Sequence, residues 1–185
     1  ISLKRLELPF VGDRRTATIE NNYYEWGPYR SYRCSLYWNF TSNSSTGNYL
    51  NDANYFYQRY IPESLEEVTI TDDTYFLASG FQGFKSLKKI SIKTGENEIT
   101  GIEGGLFHGC SSLETLEIPY IGSDKNTDRV DSWQHTIHYF FGTTEYDGTY
   151  KADLYNNTWY IPKTLSSITI EDNINCIPAY AFYKL

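Results

Sequence analysis

His135-Thr136-Ile137-His138 has the separation at which two imidazoles on one helical face can share a metal ion. The segment lacks the glutamate of a metalloprotease helix and any evident third ligand, so a structural or surface place outweighs metal binding. Asp124-Lys125-Asn126-Thr127-Asp128 opens like a calcium loop, but Arg129 stands where that loop needs glycine and His135 where it needs the closing glutamate. Cys34, Cys110 and Cys176 lack the CxxC spacing of a redox or zinc motif; a Cys34–Cys176 bond is open, with free thiols the preferred reading. Asp72-Asp73 directly follow an alternating apolar segment, where a turn accounts for them. No GxSxG, P-loop or GxGxxG pattern occurs. The expectation is therefore a chain that is not an enzyme, with no catalytic residue, no resident metal and no cofactor.

What positions these groups follows from composition and repetition. The chain has 185 residues, 17% of them aromatic, including 18 Tyr against no Met, and 21% charged. That composition belongs to a folded chain with adhesive side chains rather than to a disordered one. A net charge of -7, with Lys and Arg scattered, argues against a nucleic-acid partner. No apolar run approaches the roughly 18 residues that span a bilayer, so no membrane insertion is expected. The sequons at Asn39, Asn43 and Asn156 carry little weight in a chain rich in Asn, Ser and Thr.

Two large segments recur. Ser2-Leu3-Lys4-Arg5-Leu6-Glu7-Leu8-Pro9-Phe10-Val11-Gly12 returns as Ser112-Leu113-Glu114-Thr115-Leu116-Glu117-Ile118-Pro119-Tyr120-Ile121-Gly122. Tyr60-Ile61-Pro62 through Ile70 returns as Tyr160-Ile161-Pro162 through Ile170. Within them a pattern Leu-x-x-apolar-x-apolar begins at Leu3, Leu65, Leu87, Leu113 and Leu165. The spacings of 22 residues from Leu65 to Leu87 and 26 from Leu87 to Leu113 suit one turn of a leucine-rich repeat. Alternation of apolar and polar residues makes each copy a short strand. Leu6 and Leu8, Val68 and Ile70, Ile90 and Ile92, Leu116 and Ile118, Ile168 and Ile170 would point inward. Arg5, Glu7, Glu67, Thr69, Lys89, Ser91, Thr115, Glu117, Ser167 and Thr169 would point outward, forming a solvated, polar strand face.

A second element precedes the strands: Phe81-Gln82-Gly83-Phe84-Lys85-Ser86-Leu87 matches Phe107-His108-Gly109-Cys110-Ser111-Ser112-Leu113, and Ala181-Phe182-Tyr183-Lys184-Leu185 starts another copy. Phe76, Ile102 and Ile177 lead these phenylalanines by five and are expected in the core. In this alignment Cys110 occupies the apolar slot of Phe84 and Leu185, which predicts a buried, unreactive thiol.

The Leu106–Leu113 stretch, Leu-Phe-His-Gly-Cys-Ser-Ser-Leu, together with Leu8-Pro9, Ile118-Pro119 and the Ile-Pro-x-Ser/Thr-Leu segments at Ile61 and Ile161, resembles the bacterial BspA-like leucine-rich-repeat proteins. The resemblance implies a β-rich fold with short helical or 3-10 turns. Its form would be a right-handed leucine-rich-repeat solenoid with a parallel sheet whose concave face carries the outward residues. It also implies a bacterial surface or secreted protein, extracellular, non-catalytic and engaged in adhesion. One such solenoid is expected over 1–185, as a piece of a longer polypeptide, interrupted by long aromatic-rich inserts at 13–59 and 123–159.

The first insert holds 12 aromatic residues among 47 and the second eight among 37. Most of these rings are expected to pack the inserts onto the repeats; Tyr24-x-Trp26-Gly27 and Tyr139-x-Phe141-Gly142 read as one anchor in two copies. The remainder would grip a ligand, since Tyr and Trp give large contact area at small entropic cost. Trp26, Tyr29, Trp38, Trp133, Tyr146 and Tyr150 are the candidates, chosen for polar or glycine neighbours typical of loop tips. The expected partner is a protein, from a host or another cell surface. The alternative is a glycan, on which exposed Tyr and Trp faces would stack.

Overall fold

Every Leu-x-x-apolar-x-apolar segment becomes a strand in a computed structural model that describes residues 2–12, 36, 48–49, 60–73, 75–76, 80–125, 132–171, 174 and 176–185. In chain order the strands are β1 (Arg5–Leu8), β2 (Asn48–Tyr49), β3 (Tyr60–Ile61), β4 (Glu67–Ile70), β5 (Tyr75–Phe76), β6 (Lys89–Ile92), β7 (Gly101–Ile102), β8 (Thr115–Ile118), β9 (Thr149–Leu154), β10 (Asn157–Pro162) and β11 (Ser167–Ile170). The five repeat strands form one sheet in the order β1-β4-β6-β8-β11, every pair parallel. One hydrogen-bond rule serves all four steps. The carbonyl of the residue just before each strand accepts two amides from the next: Lys4 from Glu66 and Glu67, Glu66 from Lys88 and Lys89, Lys88 from Glu114 and Thr115, Glu114 from Ser166 and Ser167. The constant offset keeps equivalent side chains in single file, Leu6 beside Val68, Ile90, Leu116 and Ile168.

That alignment makes the interior. Val68, Ile70, Ile90, Ile92, Leu116 and Ile118 are at most 1% exposed, while Leu6, Leu8, Ile168 and Ile170 on the two outer strands are half-buried because, among the described residues, they have a neighbouring strand on one side only. Burying a Val, Leu or Ile side chain contributes roughly 1.5–3 kcal/mol, so the three central strands carry most of the sheet's share of stability. The arms supply a second file. Phe81 and Phe107 stand 5.9 Å apart, and Phe107 lies 5.9 Å from Phe140 and 6.1 Å from Phe141. β5 and β7 run parallel behind the sheet and bury Phe76 and Ile102. Ile177, expected in the same file, is 58% exposed, and Leu185 is 50% exposed: both lie on the outer side of the last arm, where no further turn packs over them among the described residues.

The second insert packs onto the repeats, as expected for most of its rings, and goes further by entering the stack itself. Its 3-10 turns Trp133–His135 and Ile137–Phe140 place Phe140 and Phe141, both fully buried, in the phenylalanine file. The backbone joins as well, the Gly105 amide donating to Tyr139 O and the Phe107 amide to Phe140 O, each at 2.8 Å. The Phe-Phe-Gly stretch is thus an arm of the stack whose spacing to the next leucine has been stretched by a hairpin, which hides it from a search by period. That hairpin, β9 antiparallel to β10, turns through Tyr155 and Asn156, both at positive φ, and delivers the chain to β11. β2 and β3 form an antiparallel pair at the equivalent point of the first unit. Leu36 of the first insert is fully buried and its amide donates to Gly80 O, so this insert also touches the stack. The duplication reaches the backbone: Gly12 and Gly122 have φ of 99° and 98°, and a side chain at Gly122 would stand 2.4 Å from Gln134 O.

Candidate binding surface

The outward face of the sheet is a grid of two rows, Arg5, Glu67, Lys89, Thr115 and Ser167 in one and Glu7, Thr69, Ser91, Glu117 and Thr169 in the other. Much of its charge is spent internally. Arg5 pairs with Glu67 at 3.0 Å and Lys89 with Glu117. At the strand starts Glu66 sits between Lys4 at 3.5 Å and Lys88 at 3.4 Å, and the two ammonium groups, Lys4 first, hold its carboxyl below the ordinary range. The Lys89 hydrogen bond does the same for Glu117. Ser91 departs from expectation. It points outward but is 1% exposed, because a short side chain on the central strand is overshadowed by its longer neighbours Thr69 and Glu117. The exposed hydroxyls are Ser167 and Thr169 on β11, beside half-buried Thr115. A partner on this face meets paired charges near β1, β4 and β6, and hydroxyls near β8 and β11.

The aromatic candidates separate. Trp133 is 40% exposed, its ring 5.8 Å from buried Trp159 and 5.7 Å from Tyr139, so it presents a braced indole to solvent. Tyr146 is no loop tip: its ring stacks edge-on against His108 at 4.8 Å, and burial drives its phenol pKa up. Tyr150 is half-buried and its hydroxyl donates to Lys184 O at 3.0 Å, tying β9 to the last arm. Trp26, Tyr29 and Trp38 lie outside the described residues, as do Tyr24 and Cys34. The other half of the proposed anchor, Tyr139 and Phe141, is buried.

The groups considered for chemistry serve the framework. Cys110 is fully buried, its thiol donates to Phe81 O at 3.1 Å, and burial pushes its pKa to about 12. Cys176 is an exposed free thiol. His135 is 4% exposed and His138 fully buried; burial pulls the His138 pKa down to about 4. Asp73 accepts the Val11 amide at 2.9 Å and Asp72 the Asn97 amide at 3.0 Å, so the two acids bind neighbouring turns together. Asp124 accepts the Ser123 hydroxyl at 3.2 Å, whereas Asp128 and Arg129 lie outside the described residues. His108 contacts Gln82 at 3.4 Å and Thr144 O at 3.2 Å. Since a carbonyl only accepts, Nε2 carries the proton and Nδ1 takes the Gln82 amide, which links three arms across a shallow cleft lined by Gly104, Gly105, Gly142 and Thr143. Among the described residues no helix is long and apolar enough to cross a membrane.

Compared with known proteins, the chain matches the BspA type leucine-rich repeat region in six copies, over residues 52–128 and 152–185, more than half its length. The second stretch takes in residues 152–159, within the insert delimited by sequence. No curated protein and no solved structure matches it.

Proposed function

Because the chain belongs to the BspA-type leucine-rich-repeat family, whose repeats suggest a protein-interaction module, we propose that it is an extracellular, non-catalytic adhesion module of a bacterial surface or secreted protein. The observation that carries this reading is the in-register sheet, in which every inward residue of the central strands is buried and the opposite face holds a fixed polar grid. A surface already ordered before contact loses little conformational entropy on binding. The absence of nucleophile motifs from the sequence and the inert setting of Cys110 support a non-catalytic role.

The test is capture of host or cell-surface proteins by the immobilised chain, with Ser167→Arg/Thr169→Arg as the altered face. Loss of a captured protein on this double substitution, with the melting temperature unchanged, is the expected outcome. Equal capture by the variant removes the strand face as the binding surface. The braced, exposed Trp133 favours one second reading, a glycan ligand stacked on the indole. A glycan array probed with the chain and with Trp133→Ala separates the two: a saccharide signal lost in the variant selects the glycan.

A further inference from the structure

The last arm, 177–185, repeats the backbone of the arm at 102–110 but changes what stands at its two left-handed positions. The Tyr183 amide donates to Tyr180 O at 3.0 Å and the Leu185 amide to Phe182 O at 3.2 Å; in the earlier arm the His108 amide donates to Gly105 O at 2.9 Å and the Cys110 amide to Phe107 O at 3.1 Å. There the two positive-φ residues are Gly105 at 76° and Gly109 at 81°. In the last arm they are Tyr180 at 58° and Lys184 at 53°. A side chain strains the backbone in this region, and glycine would relieve it, so the fold alone gives no reason for a tyrosine and a lysine here.

Both positions belong to the flank of the stack rather than to its stacking face. A Cβ added at Gly105 meets nothing within 4 Å, although the Gly105 amide is bonded to the neighbouring arm at Tyr139 O; one added at Gly109 points back at Gly83 of the arm before, 2.9 Å away. Tyr180 accordingly meets the ring of Tyr155 at the tip of the β9–β10 hairpin, centroids 6.1 Å apart and planes at 88°, and the ring of Tyr183 at 6.1 Å and 82°. Lys184 holds its ammonium 5.2 Å from the centre of the Tyr183 ring, while its carbonyl is tied to β9 by the Tyr150 hydroxyl. Tyr180 remains 58% exposed and Tyr183 36%. Exposed Lys184 makes no ion pair among the described residues.

An exposed aromatic face beside an ammonium with no counter-ion asks two things of a partner: an apolar ring to cover the tyrosine and a carboxylate for the lysine. Proline meets the first demand. Its ring is rigid, and a proline-rich segment is extended before it binds, so little entropy is lost on docking against tyrosines. We propose that Tyr180, Tyr183 and Lys184 form a docking surface for an acidic, proline-containing segment of the partner protein, with a Glu or Asp side chain on Lys184 and a proline on Tyr180. The inference rests on the protein-binding reading, adds a contact on the flank of the last arm to the strand face, and specifies the partner's chemistry.

The experiment is an NMR shift titration of the whole chain with a capped Pro-Pro-Glu-Pro-Pro peptide, and with the same peptide carrying Gln in place of Glu. The glutamate peptide is expected to shift the resonances of Tyr180, Tyr183 and Lys184, and the glutamine peptide to bind about threefold more weakly, the scale of an exposed ion pair. Lys184→Gln should make the two peptides equal. Tyr180→Gly should weaken binding about tenfold with the melting temperature kept, because glycine suits that backbone. No shift at about 10 mM peptide, equal affinity of the two peptides for the unaltered chain, or unchanged affinity in Tyr180→Gly overturns the surface. A melting temperature lowered by several degrees in both Tyr180→Gly and Lys184→Gly also overturns it, by assigning these side chains to the fold. A uronic-acid tetrasaccharide that shifts the same resonances where the peptide fails overturns the peptide segment as occupant. If the chain captures partner proteins while the peptide does nothing, this inference falls and the adhesion reading stands. Peptide binding without any protein capture has the opposite meaning.

Discussion

Cys110 and His138 show how the stack treats groups that could react. The Cys110 thiol needs a pH near 12 to ionise, so at pH 8 a maleimide should label Cys176 within minutes and Cys110 only after unfolding, as read by peptide mass spectrometry. Labelling of Cys110 at the same rate would contradict its burial. His138 is held neutral when folded, with its pKa near 4 against an ordinary 6.5. The folded state then binds fewer protons than the unfolded state between those values. The associated stability is complete above about pH 6.5, declines as pH falls toward 4, and amounts to on the order of 3 kcal/mol. His138→Leu should flatten that part of a urea-midpoint profile measured from pH 7 to pH 4; an unchanged slope would exclude this histidine as its source. Phe107, packed against Phe81, Phe140 and Phe141, is the side chain the arms can least spare. Phe107→Ala should cost about 3–5 kcal/mol in chemical denaturation.

At the scale of elements, the turn after β8 depends on Gly122. Its φ of 98° and the 2.4 Å approach to Gln134 O leave no room for a side chain, so Gly122→Ala should cost about 1–3 kcal/mol in thermal unfolding, whereas an alanine at exposed Thr143 should cost little. The ion pairs along the strand starts act differently. Glu66 and its two lysines are solvent-facing, so their part is register more than stability, and 0.5 M salt should diminish what they contribute. Opposite charges alternating from strand to strand favour this alignment over one slipped by a residue, which would also turn the leucines outward.

For the whole molecule, each repeat strand is hydrogen-bonded to its immediate neighbours in the sheet, so energetic coupling should be short-ranged. Val68→Ala and Ile90→Ala, on adjacent strands, should be non-additive by 0.5 kcal/mol or more, whereas Val68→Ala and Leu116→Ala, with β6 between them, should add within roughly 0.5 kcal/mol. A double-mutant cycle in urea checks both. Strong coupling across β6 would mean that the sheet responds as a block.

The sequence by itself determined the five strands, their inward and outward sides and the buried place of Cys110, because an apolar residue every second position and a recurring slot are local or periodic signals. It also carried the family resemblance, through motifs such as Leu106–Leu113. Only the tertiary structure decided that Phe140 and Phe141 continue the phenylalanine file and that Ser91 is covered. It likewise placed Tyr146 against His108 and brought Tyr75, Tyr120 and Tyr139 near one another from three separate segments. Those facts depend on which side chains from distant turns arrive at the same point. A period in sequence fixes how far apart the turns lie along the chain, but neighbours across the stack are set by packing, and an arm whose spacing is stretched leaves no periodic trace to read.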